Sequence, residues 1–74
     1  PKNLAMALAS ETGELCEVFR WLTAEESREA ANDPKLRTAI ADELADVANI
    51  VFLLSQHTGI DLSDAIAAKM VKNA

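Results

Sequence analysis

The sequence predicts an all-α fold, on the basis of its composition and of two repeated apolar patterns. Leu and Ala dominate the 74 residues, half of which are hydrophobic, and both residue types favour helices. Gly and Pro occur only twice each, so little in the chain interrupts a helix. Two long segments repeat apolar residues every three or four positions, which is the period of an α-helix. We therefore expect a helical bundle built on two long helices, with short helices beside them.

The first long helix is expected to run from about Asn3 to Leu22. Immediately after it, Thr23-Ala-Glu-Glu26 has the form of a capping box, in which each side chain accepts a hydrogen bond from the other residue's backbone amide. This pattern predicts a short second helix that begins at Ala24.

The second long helix has the clearest boundaries in the sequence. Asp33 can cap its first free amides, and Pro34 suits the first helical position because proline has no amide to satisfy. The helix is expected to end near Thr58, where Gly59 can adopt the left-handed conformation that stops a helix.

A last helix is predicted from Leu62 into the region of Lys72. Asp61 precedes it as a capping residue, and Asp64 places a negative charge in its first turn, where the helix dipole favours one. Lys69 and Lys72 lie towards the other end, where a positive charge is favourable even without a ligand.

Each long helix carries a stripe of six positions with the spacing four, three, four, three, four, which is typical of the seam between two packed helices. The first stripe consists of Leu4, Leu8, Glu11, Leu15, Val18 and Leu22. The second stripe consists of Leu36, Ile40, Glu43, Val47, Ile50 and Leu54. In both, the third position is a glutamate, and a second acid follows three residues later, Glu14 in one and Asp46 in the other. A shift of 32 residues superposes the stripes, which fits either a duplication or a coincidence.

The acidic pairs are informative because a carboxylate in an apolar seam is costly unless it is paired or coordinates a cation. Two facing pairs would also repel each other. A divalent cation removes both problems, and residues three apart share a helix face, so that each pair can reach one point. Oxygen ligands favour a hard cation, Mg²⁺ or alternatively Mn²⁺. The sequence therefore predicts a metal site suited to phosphate chemistry, formed by Glu11, Glu14, Glu43 and Asp46.

Two other interpretations of these acids compete with a metal site. Exposed helices often carry such pairs as a solvated face, although two pairs at matching seam positions favour a shared site. A carboxylate di-iron bundle uses a histidine three residues after a glutamate, whereas these positions hold Glu14 and Asp46. The only histidine, His57, lies outside both motifs, and we interpret it as structural. We expect Glu17 to be solvated, or to support the site from outside.

Length and charge restrict the classes of function. Seventy-four residues form at most one domain, and so small a core needs a metal or a partner subunit for stability. Cys16 is the only cysteine, which excludes an internal disulfide and fits a reducing, cytoplasmic setting. A net charge of −5 argues against a nucleic-acid partner. The longest aliphatic or aromatic run, residues 50–54, is far shorter than the roughly 20 residues of a membrane span.

At the acidic pairs the sequence resembles the MazG-like all-α nucleoside triphosphate pyrophosphohydrolases. Glu11-Thr-Gly-Glu14 and Glu43-Leu-Ala-Asp46 are similar to the ExxE and ExxD motifs of that family. Residues 8–15 resemble the first metal helix of the branch that includes dCTP pyrophosphatases. Phe19-Arg-Trp21 resembles the phenylalanine-x-tryptophan motif of that branch, and Lys69-Met-Val-Lys-Asn73 resembles its C-terminal lysine and asparagine motif. The resemblance covers almost all of residues 1–74, which we interpret as a single domain of this type.

The resemblance implies a Mg²⁺-dependent hydrolase that cleaves (d)NTP between the α and β phosphates and releases (d)NMP and pyrophosphate. Such enzymes remove unwanted nucleotides, and this branch favours deoxynucleotides. The four acids would be the magnesium ligands. Trp21 would line the base pocket, Asn73 would contact the nucleotide, and Lys69 or Lys72 would reach phosphates. Members act as dimers or dimers of dimers, so dimerisation would complete a four-helix-type core.

The chain departs from the family pattern at its ends. The family usually has an N-terminal helix with further base-pocket residues ahead of the position of Pro1, and basic residues and a tyrosine after Asn73. We therefore expect that one or both natural ends are missing. The alternative function is a non-catalytic helical oligomerisation or regulatory module of the same fold. Such a module would be expected to lose one of the four acids, and all four are present, which favours the enzyme.

Overall fold

The computed structural model describes every residue from Pro1 to Ala74, and all of its regular secondary structure is helical. This confirms the predicted all-α fold. No helix combines the length and the apolarity needed to cross a bilayer. The helices are α1 (Lys2–Phe19), α2 (Ala24–Glu29), α3 (Pro34–Thr58) and α4 (Leu62–Asn73), and a 3₁₀ turn (Ala30–Asn32) joins α2 to α3.

Capping side chains set the starts of α2, α3 and α4 as the sequence predicts. In the capping box of α2, Thr23 Oγ1 accepts from the Glu26 amide at 3.1 Å, and Glu26 Oε1 accepts from the Thr23 amide at 2.9 Å. Asp33 Oδ1 accepts from the Lys35 amide at 2.9 Å at the start of α3. Asp61 caps α4 by accepting from the amide three residues later.

The end of α3 is set by Gly59, as predicted. Its φ of 70° and ψ of 17° lie in the left-handed region, which L side chains rarely adopt. The Ile60 amide then bonds back to the Ser55 carbonyl at 3.1 Å, which satisfies a carbonyl that the last turn would leave free.

The predicted end of the first helix is wrong. We expected it near Leu22, whereas α1 ends at Phe19, and the Leu22 amide bonds to the Phe19 carbonyl in a tighter turn. The physical reason is that Thr23 has to leave the helical conformation in order to cap α2, with φ of −70° and ψ of 166°. Leu22 keeps its place in the seam, since it is half-buried.

The helices α1 and α3 pack against each other along the two predicted stripes. Every stripe position is half-buried, including Glu11 and Glu43. Burial is incomplete because the pair has no further layer of helices over it. The last helix, α4, makes few contacts with this pair, and Leu62 is its only half-buried residue.

The chain is flatter and more open than a compact domain of its size. It measures 38 × 32 × 17 Å with a radius of gyration of 14.9 Å, against about 11 Å for a compact chain of this length. Its accessible surface is 5811 Å², against about 4,500 Å² for a compact monomer of this mass. Ala30 is the only fully buried residue. Much apolar surface is therefore left exposed in the single chain.

Candidate metal centre

The packed helices α1 and α3 bring four acids together at the middle of their seam. One carboxylate oxygen from each of Glu11, Glu14, Glu43 and Asp46 lies within 4.8 Å of those of the other three. The spacing of three residues places each pair on one helix face, and the packing of the two stripes turns the faces towards each other. The structure thus brings together the four acids singled out in the sequence, and their role as metal ligands remains a prediction.

Two of the carboxylate oxygens have no partner in the protein. Glu11 Oε2 and Glu43 Oε2 are buried and make no hydrogen bond. Leaving a buried acceptor unpaired is costly, and more so when it carries charge. Glu14 and Asp46 are exposed on the open side of the cluster. The donor set therefore fits a cation, which would supply the partner that both buried oxygens lack.

Burial and mutual repulsion raise the pKa of the two inner glutamates. Desolvation is the largest cause for Glu11, followed by the negative charge of Glu14 and, to a smaller extent, the charges of Asp46 and Glu43. Desolvation also comes first for Glu43, followed by the charges of Glu14 and Asp46. No lysine or arginine forms an ion pair with any of the four acids. The negative charge of the cluster is thus not compensated by the protein itself.

The arrangement is suited to a hard divalent cation. All four donors are carboxylate oxygens, which favour Mg²⁺ or Mn²⁺ over softer metals. Because the two outer acids are exposed, the cluster is accessible from solvent. Magnesium commonly retains waters and shares phosphate oxygens of a substrate, and an open carboxylate cluster allows both.

Trp21 lies in the turn after α1, and 76% of its surface is exposed. Its indole Nε1–H donates to Glu17 Oε1 at 3.3 Å, and Arg20 Nη1 donates to Glu17 Oε2 at 2.9 Å. The guanidinium carbon of Arg20 lies 4.7 Å from the centroid of the indole. We did not predict these contacts, although residues three and four positions after Glu17 on a helix are its neighbours.

The other predicted substrate residues lie on α4. Lys69, Lys72 and Asn73 are all exposed, and neither lysine forms an ion pair. These observations do not link the three residues to the carboxylate cluster, and their roles in substrate binding remain predictions. His57 is exposed in the last turn of α3, outside the cluster.

Fold and cluster together define an all-α protein with a carboxylate site between two long helices. Residues 6–74 match the model of the MazG-like family, and the chain belongs to that family. It is 38% identical to dCTP pyrophosphatase 1 of Bos taurus over 73 residues, which are 99% of this chain and 43% of the bovine protein.

Two further relatives are similar to the same extent. Identity to dCTP pyrophosphatase 1 of Mus musculus is 40% over 73 residues, covering 99% of this chain and 43% of that protein. Identity to dCTP pyrophosphatase 1 of Homo sapiens is 39% over 70 residues, which are 95% of this chain and 41% of the human protein. The chain thus spans less than half the length of these relatives. No solved structure matches it significantly.

Proposed function

We propose that this chain is a divalent-metal-dependent nucleoside triphosphate pyrophosphohydrolase that prefers deoxynucleotides. The observation that carries the proposal is the convergence of Glu11, Glu14, Glu43 and Asp46 within 4.8 Å, with two buried oxygens that have no partner. Membership of the MazG-like family and relatives named dCTP pyrophosphatase 1 support the same activity. The proposed role is the removal of unwanted nucleotides from the nucleotide pool.

The four acids would hold Mg²⁺ or Mn²⁺. When bound, the cation neutralises phosphate charge and assists the attack of water on phosphorus. The contribution of the chain is a donor set that is in place beforehand. Glu11 and Glu43 are half-buried in the α1–α3 seam, and well-packed supporting residues keep such donors in a productive geometry.

The proposed reaction is hydrolysis of the anhydride between the α and β phosphates. The oxygen of water bonds to phosphorus, the bridging oxygen departs with its phosphate group, and (d)NMP and pyrophosphate are released. One proton of the water has to be accepted by a base. We assign that role to one carboxylate of the cluster, whose four members lie within 4.8 Å of one another and so beside the proposed cation.

The nucleotide-binding roles are proposed for four further residues. Trp21 stacks on the base, and its exposed indole is available for such a contact. Asn73 contacts the nucleotide, and Lys69 and Lys72 reach its phosphates. These three residues share the exposed C-terminal part of α4, where positive charge would offset that of the phosphates.

We also propose that the protein acts as a homodimer or a dimer of dimers. The surface of the single chain exceeds that of a compact monomer, and nine large apolar side chains are exposed. Phe52 and Leu53 of α3 are 55% and 42% exposed. A second α1–α3 pair packed on this surface would bury these residues and complete a four-helix core.

The test is metal-dependent product release from a panel of dNTPs and NTPs. Pyrophosphate with monophosphate, lost on chelation and restored by Mg²⁺, is the expected result, and the panel identifies the preferred base and sugar. Orthophosphate with diphosphate would mean that a different bond is cleaved, which would refute the proposal. A folded, metal-binding protein that releases no product would favour the regulatory module instead.

A matched pair of variants tests whether the cluster carries the activity. Glu43→Gln keeps the size of the side chain and removes one charged donor, so turnover is expected to fall at least about a hundredfold. Glu25→Gln makes the same change on the exposed surface of α2, outside the cluster, and should retain activity. Normal pyrophosphate release by Glu43→Gln would contradict the assigned site.

A further inference from the structure

The indole of Trp21 is exposed to solvent, but contacts with Glu17 and Arg20 restrict its orientation. A tryptophan side chain is usually largely buried, whereas 76% of Trp21 is exposed. An exposed aromatic ring with no polar partner would move between rotamers freely. Trp21 instead has its indole N–H bonded to Glu17 Oε1 and the Arg20 guanidinium over its ring.

The three side chains form a closed set of contacts. Glu17 uses one carboxylate oxygen for the indole N–H, at 3.3 Å, and the other for Arg20 Nη1, at 2.9 Å. Arg20 in turn lies 4.7 Å from the ring centroid, within the range of a cation–π contact. The hydrogen bond from Arg20, followed by that from Trp21, holds the pKa of the Glu17 carboxyl below its ordinary value. The carboxylate is therefore ionised at neutral pH, and both bonds persist there.

These contacts do little for the fold itself. The turn after α1 is already closed by backbone bonds, from the Arg20 amide to Cys16 and from the Leu22 amide to Phe19. The ion pair is 57% exposed on both sides, and exposed pairs of this kind contribute little to stability. What the set of contacts does restrict is the orientation of the ring. Because Arg20 covers one face of the indole, the opposite face is the one offered to a planar ligand.

We propose that Glu17 and Arg20 are positioning residues that hold the Trp21 indole as a preformed stacking surface for the base of the nucleotide. This rests on the proposed function, because it presumes that the ligand is a nucleotide. Ordering the ring beforehand lowers the entropy lost on binding. The two residues therefore act on substrate affinity through Trp21, and they take no part in cleavage at the carboxylate cluster.

The first measurement follows the motion of the Trp21 indole in the absence of any ligand. Trp21 is the only tryptophan of the sequence, so time-resolved fluorescence anisotropy of the protein reports on its motion alone. In Glu17→Ala and in Arg20→Ala the fast depolarisation of the indole is expected to grow in amplitude. Glu17→Gln, which keeps an oxygen for the indole N–H, should lie between Glu17→Ala and the parent. Glu25→Ala, an exposed glutamate of α2, is the control and should match the parent.

The second measurement separates binding from cleavage. With the preferred nucleotide and Mg²⁺, Glu17→Ala and Arg20→Ala are expected to raise KM by roughly three- to tenfold, with kcat within about twofold of the parent. Thermal unfolding and Mg²⁺ titration of the same proteins should match the parent. Arg20→Lys retains the charge but not the planar fork and should restore part of the affinity.

The outcomes distinguish this proposal from the function on which it rests. Unchanged indole motion in Glu17→Ala and Arg20→Ala overturns the positioning role, whatever the activity. Increased indole motion with an unchanged KM overturns the link to the nucleotide. If the parent protein neither binds nor cleaves any nucleotide of the panel, the proposed function is refuted. The proposal that a nucleotide base stacks on Trp21 is then refuted as well. A loss of kcat with unchanged KM assigns Glu17 or Arg20 to cleavage and also overturns the proposal.

Discussion

Glu11 and Glu43 meet across the α1–α3 seam, and each has one buried carboxylate oxygen without a hydrogen-bond donor. They occupy the same position in two stripes whose other members are apolar. In the metal-free chain this pair is a source of instability in the middle of the packing. The same feature makes the seam a candidate cation site, so stability and metal binding are expected to be linked.

In the metal-free protein, the contribution of Glu11 and Glu43 to the free energy of unfolding is expected to fall as the pH rises from about 4 towards neutrality. The folded-state pKa values of Glu11 and Glu43 lie above the ordinary value of 4.5. Above that ordinary value the folded state holds protons that the unfolded chain has lost, so increasing pH favours unfolding until the raised pKa values are passed. Glu43→Gln removes one of the two groups and should flatten this slope.

Urea unfolding in the presence of a chelator, repeated across the pH range, measures the slope. Glu25→Gln serves as the control, because it removes a carboxylate that lies outside the cluster, and its slope should follow the parent. Since other carboxylates titrate in the same range, the comparison between variants is the informative quantity. Equal slopes in Glu43→Gln and the parent would contradict the raised pKa of Glu43.

Divalent cations are expected to reverse the instability of the seam. A ligand that binds only the folded state stabilises it by about 2.7 kcal/mol at one hundred times its Kd. For a domain of this size, that corresponds to a rise in Tm of roughly 10–20 °C. Thermal unfolding with Mg²⁺, with Mn²⁺ and with chelator, at one protein concentration, measures the effect.

Charge screening is the alternative cause of such a rise. Sodium chloride at the same ionic strength screens the acids without coordinating to them and should produce only a small part of the rise in Tm. Glu43→Gln should lose most of the response to Mg²⁺. A rise of the same size with sodium chloride would argue against a specific cation site.

Alanine at the two glycines is expected to have opposite effects on stability. A Cβ at Gly13 or at Gly59 would meet no atom within 4 Å, so backbone conformation alone decides. Gly13 is inside α1, where alanine is favoured by about 1 kcal/mol. Gly59 has a φ of 70°, where a side chain costs about 1–2 kcal/mol.

Urea unfolding of both variants provides the comparison, and each serves as the control for the other. A destabilised Gly13→Ala would show that a second subunit approaches α1 at this point, which the single chain leaves open. A neutral Gly59→Ala would mean that the end of α3 does not depend on the left-handed conformation.

Loss of the α3 cap is expected to destabilise the protein by about 1 kcal/mol. Asp33 Oδ1 accepts from the Lys35 amide at 2.9 Å and from the Leu36 amide at 3.4 Å. Asp33→Ala leaves these amides to water alone, whereas Asp33→Asn keeps an acceptor and should retain most of the stability. Equal losses in both variants would indicate that the charge of Asp33, and not its capping bonds, stabilises α3.

Most helix boundaries could be predicted, because the capping residues act on amides within three positions of themselves. The end of α1 could not, since the helical pattern continues to Leu22 while Thr23 has to leave it to cap α2. Of the candidate site residues, the four acids could be placed together by their spacing. The contacts of Glu17 with Arg20 and Trp21 depend on side-chain rotamers, which a spacing permits but does not select.

The sequence by itself determined the helices, the seam and the meeting of two acidic pairs, because repeats of three and four residues dictate which side chains share a helix face. Only the tertiary structure decided that Glu11 Oε2 and Glu43 Oε2 are buried without a partner while Glu14 and Asp46 remain exposed. It also decided that Lys69, Lys72 and Asn73 are exposed on α4 and that neither lysine forms an ion pair. The physical reason is that burial of an atom depends on the neighbouring helix packed over it, and the spacing within one helix carries no information about that neighbour.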